Sequence, residues 1–165
     1  MKCQIEHIFI SQDHNFVGHF NSEPGENPTI PKESVNLISG KGIEGDRYAI
    51  RESDHRKQIT FFDMDVADKL SDHAGKPISP DSVRRNVFIR GLNLPELVGK
   101  RFVLQGIEFI GVDPCPPCQW MDVAVGPGTK ELLEGTGGLR AKILNDGVLS
   151  VGETELTILE EGIEV

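Results

Sequence analysis

"LRAKILNDGVLSVGETELTILEE", residues 139–161, decides the fold class. It divides into three strand-like runs. Asn145-Asp146-Gly147 and Val151-Gly152-Glu153 mark the turns between them, because these residue types accept the backbone conformations that tight turns need. Upstream, RFVLQGIEFIGVD (101–113) reads as two further strands around Gln105-Gly106, a hairpin. CQIEHIFIS (3–11) offers a first strand, with Ile5, Ile8 and Ile10 as its apolar members in an imperfect period. SVNLIS (34–39), QITFFD (58–63) and Val87–Ile89 are further candidates. DMDVADKLSDHAG (63–75) is the one well-formed helix: Asp63 can cap it, Val66, Ala67 and Leu70 make its apolar stripe, and Gly75 can end it. A second, short helix is expected at Thr129–Leu133, with Thr129 as its cap. Many short strands, Gly-rich turns and few helices predict a mainly β protein with a barrel core, since closure hides sheet edges. Residues 1–165 are expected to form a single domain, with a long Asn-, Gly-, Pro- and Ser-rich loop over about 11–35. Phe61, Phe62, Phe88, Phe102 and Phe109 are expected in the core, and Cys3 is expected to be an inert thiol on the first strand.

Composition bounds the function. Hydrophobic residues make up 38% and charged residues 26% of the chain, ordinary for a folded globular protein. No apolar run approaches the roughly 20 residues that span a bilayer, so no membrane role is expected. MKCQIEHIFISQDHN, at the N-terminus, lacks the pattern of a secretory signal, which places the protein in the cytoplasm. The net charge of −9 argues against a nucleic-acid partner, which would require a basic footprint. The charge is uneven, however. Arg84, Arg85, Arg90, Lys100 and Arg101 stand against one acid, Glu96, in residues 84–101. That segment is either a solvated basic rim or a grip for an anion, since arginine forks match phosphate and carboxylate oxygens.

VDPCPPCQWMD (112–122) holds two of the three cysteines, Cys115 and Cys118. Structural zinc needs four protein ligands, and no suitably spaced histidine pair follows the cysteines. A redox dithiol belongs at a helix N-terminus after a strand, and the residues after Cys118 make a poor helix start. Two plain buried thiols remain open. So does one thiolate ligand to a soft metal centre that brings its own ligands, with the basic segment holding a charged cofactor.

Four stretches, in order, resemble the MOSC domain family, named for the C-terminal domain of molybdenum cofactor sulfurases. SGKGIEGDRYA (39–49) is similar to the family's Gly-x-x-Gly-Asp-Arg element. SVRRNVFIRGLNLPELVGKRF (82–102) resembles its Arg-x-Asn strand and Leu-x-Gly turn. VDPCPPCQWMD resembles its cysteine loop, and GGLRAKILNDGVLSVGE (137–153) its closing Gly-Gly stretch. These motifs fall within a core of about 36–158. Without the N-terminal barrel domain of longer members, the chain resembles a small standalone version.

The resemblance implies a β-rich, barrel-like fold that binds the molybdenum cofactor, molybdopterin carrying a dithiolene and a phosphate. Pyridoxal phosphate is not expected in this domain. Carried over residue by residue, it makes Cys118 the metal ligand and Cys115 auxiliary or structural. Arg84 and Asn86 fall on the Arg-x-Asn element and are expected to bind the cofactor. Asp46 and Arg47 fall on the Gly-Asp-Arg element, where Asp46 is a candidate catalytic group, Arg47 a candidate cofactor-binding residue, and one or the other shapes the pocket or orients a bound water. The pair can also be read as a turn-stabilising ion pair. Gly42, Gly45, Gly137 and Gly138 would let backbone N–H groups approach the pterin or phosphate. The two prolines between the cysteines and the nearby Trp120 depart from other members, so substrate access need not carry over.

The expected function is reduction of a small N-hydroxylated substrate. The chain shows no flavin, haem or iron–sulfur motif, so electrons would come from a separate donor protein. The alternative is a non-catalytic carrier of molybdenum cofactor or persulfide sulfur, and beyond that a plain interaction domain. Arg85 and Arg90 are expected at the surface, because strand alternation would send Arg84 and Arg85 to opposite faces. His55 is expected in a solvated loop and Trp120 in the core or a pocket wall. Substrate identity and oligomeric state are not legible.

Overall fold

The computed structural model describes residues 1–13, 27–50, 57–117 and 120–161. Cys118, His14, His19 and His55 lie outside them. In chain order the strands are β1 (Lys2–Ile10), β2 (Ile30–Pro31), β3 (Ser34–Ile38), β4 (Gly42–Ile43), β5 (Ile59–Asp63), β6 (Val87–Arg90), β7 (Lys100–Leu104), β8 (Ile107–Pro114), β9 (Leu139–Ile143), β10 (Gly147–Ser150) and β11 (Gly152–Glu161). The helices are α1 (Arg47–Ile50), α2 (Met64–Ala74), α3 (Trp120–Ala124) and α4 (Thr129–Leu132), with single 3-10 turns at Pro80–Val83 and Leu94–Leu97.

Seven strands close a barrel in the order β1, β11, β7, β8, β9, β5, β6 and back to β1. β2 adds to the β1 margin, and β10, β3 and β4 form a small second sheet. The hairpin read at Gln105-Gly106 is present, with both residues at positive φ (52° and 77°). The three runs of residues 139–161 are β9, β10 and β11. One pairing was not foreseen: β5 and β6 run parallel, joined through α2 as a βαβ crossover.

That crossover explains why β5 buries large apolar side chains on both faces, Ile59 and Phe61 on one and Phe62 on the other. A strand covered on both faces has no polar side to show. Ile59 and Phe61 enter the barrel interior with Ile5, Val87, Ile89, Phe102 and Phe109. Phe62 and Phe88 point outward into a second cluster with Phe9, Met64, Leu70, Met121 and Leu133, where the helices pack on the barrel wall. All five phenylalanines expected in the core are buried. Val35, Leu37, Ile43 and Leu149 of the small sheet join the barrel core, so the two sheets share one interior. Among the described residues no helix is long and apolar enough to cross a membrane.

Candidate functional site around the cysteine loop

β8 ends at Pro114 and delivers Cys115-Pro116-Pro117 across the start of β9. The loop is seated on the Gly137-Gly138 stretch. Cys115 donates its N–H to the Gly138 carbonyl at 2.7 Å. A Cβ on Gly137 would stand 2.5 Å from the Cys115 carbonyl oxygen and 3.2 Å from the Pro117 ring. On Gly138, which has φ of 114°, it would meet the Phe61 carbonyl at 2.6 Å. Glycine is therefore required at both positions so that the loop can lie flat against the barrel. Cys115 is a free, half-buried thiol. Immediately beyond the loop the chain does start a helix, the one-turn α3, contrary to the poor helix start read from sequence. Met121 and Val125 anchor this segment in the outer cluster, and Asp122 accepts the Lys130 N–H at 2.9 Å.

The adjacent arginines diverge for a reason the sequence concealed. Arg84 is not on a strand. It caps the 3-10 turn Pro80–Val83 in the left-handed region, with φ of 57° and ψ of 49°, so strand alternation does not govern the pair. Its guanidinium reaches the Ser11 hydroxyl at 2.8 Å, the Asp13 carbonyl at 2.9 Å, the Thr29 hydroxyl at 3.1 Å and the Asn27 carbonyl at 3.3 Å. One side chain thus ties residues 11–13 to residues 27–29. Burial, together with the nearby Arg47 cation, pushes its pKa down to about 10, and Asp46 partly opposes this.

Arg85 turns the other way. Its Nε donates to the Gly137 carbonyl at 3.0 Å and one Nη to the Val83 carbonyl at 3.4 Å. Arg85 was expected at the surface. It is half-buried instead, and it is the arginine beside the cysteine loop.

Asp46 and Arg47 form a second cluster, joined to Arg84. Asp46 is fully buried, and its Oδ1 accepts the Ser11 N–H at 2.9 Å and Arg47 Nη1 at 3.1 Å. Arg47 also donates to the Arg84 carbonyl at 3.2 Å, and its guanidinium carbon lies 4.5 Å from the Tyr48 ring centre. Arg47 Nε is buried with no hydrogen-bond partner among the described residues. Gly45, at φ of 87°, provides the turn just before this pair. Nothing along the chain singles out Ser11. It is 1% exposed and touches both Asp46 and Arg84.

Asn86 is fully buried in the barrel wall. Its Oδ1 accepts the Thr60 N–H at 3.0 Å and the Thr60 hydroxyl at 3.1 Å, and its Nδ2 donates to the Phe9 carbonyl at 3.2 Å. It staples β1, β5 and the approach to β6.

Asn86 apart, the predicted site residues among those described fall into two groups. Cys115, Gly137 and Gly138 meet Arg85; Asp46, Arg47 and Arg84 meet at Ser11. The basic run is not one patch. Arg90 pairs with Glu6, Asp65 and Asp68, and Arg101 with Glu108. An open groove of about 580 Å³ lies on the β1–β11 seam, and none of the predicted site residues lines it. Among the described residues no three His, Cys, Asp or Glu side chains converge on a metal-sized space. A metal at the cysteine loop would have to bring most of its own ligands.

Comparison with solved structures shows the same fold in distant relatives. The YuaD protein from Bacillus subtilis superimposes with a TM-score of 0.74 at 18% identity, over 97% of this chain and 98% of that one. YiiM from Geobacillus stearothermophilus gives 0.69 at 18% identity, covering 98% of this chain and 77% of that one. YiiM from Escherichia coli gives 0.67 at 15% identity, covering 100% and 73%. At these identities the likeness concerns the fold alone. Comparison with curated proteins finds no match. The MOSC domain model matches residues 32–154 and spans all four motifs. With that match over most of its length, the chain belongs to the MOSC domain family.

Proposed function

We propose that this protein binds the molybdenum cofactor at the cysteine loop and reduces small N-hydroxylated compounds, drawing electrons from a separate donor protein. The observation that carries the reading is the seating of the cysteine loop on Gly137-Gly138 with the Arg85 cation beside it. The residues fit such a group. The loop offers thiols and a neighbouring cation, and the cofactor would arrive with two sulfurs and a phosphate of its own. Bound there, it would supply two-electron oxygen-transfer chemistry.

In this reading Cys118 supplies the protein's thiolate to the metal, and Cys115 holds the loop through its backbone. Arg84 and Asn86 act from the two ends of one short segment. Arg84 organises residues 11–13 and 27–29, while Asn86 fixes the wall behind them. Asp46, inaccessible and engaged by Ser11 and Arg47, positions this framework and does not move a proton.

The test is metal and pterin analysis of protein made in cofactor-competent cells, wild type beside Cys118→Ala. Near-stoichiometric molybdenum in the wild type, lost in the variant, supports the reading. A wild type without molybdenum, under conditions that load a known molybdoenzyme, overturns it. A loaded protein that reduces no hydroxylamine or N-hydroxylated base with a chemical electron donor is instead a carrier.

A further inference from the structure

We propose that Arg85 is the anion-binding residue of the cysteine-loop site, taking a phosphate-type dianion on the outer edge of its guanidinium. This deepens the cofactor reading by naming the residue that grips the charged end of the ligand.

Three observations carry it. The first is unspent capacity. An arginine side chain has five N–H donors in a planar fork. Arg85 uses Nε on Gly137 and one Nη bond on Val83, both with backbone carbonyls. Its other Nη donors have no partner among the described residues. Arg47, Arg90, Arg101 and Arg140 each pair with a carboxylate; among the described residues Arg85 has no such pair. A half-buried guanidinium without a counter-charge is an electrostatic deficit that a bidentate oxyanion corrects.

The second observation is pre-organisation. Two carbonyls hold the guanidinium, one at Nε and one at an Nη, so little side-chain freedom remains to be lost on binding.

The third is position. Arg85 Nε and Cys115 Cβ each lie 3.6 Å from the place a Gly138 Cβ would occupy, so they are at most twice that apart. The Gly137-Gly138 peptide is trans. Its carbonyl faces Arg85, so its N–H faces away and cannot share an anion with that side chain. The glycines seat the loop, and the cation grips.

The test is a titration of ¹⁵N-labelled protein with inorganic phosphate at constant ionic strength. It reads the Arg85 Nε–H signal and the amides of Gly137 and Gly138. The expected result is a saturable shift that chloride does not reproduce, retained in Arg90→Gln and lost from the Gly137 and Gly138 amides, the probes common to all variants, in Arg85→Gln. Arg85→Lys keeps the charge and loses the fork. It should bind phosphate about tenfold more weakly, and it serves as the working variant if Arg85→Gln fails to fold. No saturable shift in the wild type, or equal shifts in the Arg85 variants, overturns the proposal; a purely structural clamp on Gly137 would give the latter. Molybdenum and pterin content separates this inference from the reading it rests on. A wild type that lacks cofactor but shows the Arg85-dependent phosphate shift overturns the cofactor reading alone. Cofactor kept in full by Arg85→Gln overturns the Arg85 assignment alone.

Discussion

Asn86 and its two arginine neighbours show how much one residue's backbone state decides. Arg84 sits in the left-handed region, sparsely populated for a residue with a Cβ, and this turn sends Arg84 and Arg85 to different sites. Directly after them, Asn86 is buried with its carbonyl and amide groups both engaged. Substituting Asn86→Ala strips partners from the Thr60 N–H and the Phe9 carbonyl inside the barrel wall. A buried group left unpaired costs about 1–3 kcal/mol, so the variant should lose roughly 2 kcal/mol or more in urea unfolding. An unchanged midpoint would mean the staple carries no stability. The Arg-x-Asn pattern was visible in the sequence. That its asparagine serves the wall was not, because hydrogen-bond partners 26 and 77 residues away cannot be read from a linear pattern.

At the scale of elements, α2 follows its sequence signals closely. Asp63 caps it by accepting the Asp65 N–H at 2.8 Å, and Gly75 ends it in the left-handed region. Burial pushes the Asp63 carboxyl above its ordinary value of 3.8, against the lowering effect of the Asp65 N–H bond. The folded chain thus holds the Asp63 proton more tightly than the unfolded chain does. Ionised Asp63 is therefore a liability above its folded pKa, and the liability fades as pH falls towards 3.8. Asp63→Asn keeps the acceptor oxygen without the charge. It should match or slightly exceed wild-type stability at pH 7 and lose that advantage near pH 3.5 to 4. Asp63→Ala should cost about 1 kcal/mol at either pH. Urea midpoints across that range decide, and an Asn variant weaker than wild type at pH 7 would contradict the sign. α4 followed its signals less closely. Gly128 takes the cap position there, and Thr129 is inside the helix, bonding back to the Gly126 carbonyl at 2.6 Å. Glycine's freedom at positive φ outcompeted the hydroxyl cap.

Across the whole molecule, closure of the barrel joins its two ends. β1 pairs with β11, Lys2 opposite Glu155, so the last rungs unite residues far apart in sequence. Such non-local pairing slows folding, and refolding of this chain should take milliseconds to seconds. The central strands β5 and β6 are covered on both faces, whereas β2 and β10 have one strand neighbour each. In native-state hydrogen exchange the amides of Ile59–Phe62 and Val87–Ile89 should open only with global unfolding, and those of β2 and β10 earlier. Equal protection throughout would show that the small sheet and the barrel unfold as one unit.

The sequence by itself determined the mainly β class, the hairpin at Gln105-Gly106, the three closing strands, the caps of α2 and the family. All of these are written in local residue types and short periods. Tertiary structure alone decided the parallel β5–β6 crossover, the closure of β1 on β11 and the division of labour between Arg84 and Arg85. Those depend on which distant backbone groups a side chain meets. Two adjacent arginines look alike along the chain and become different only when one caps a turn and the other finds the Gly137 carbonyl.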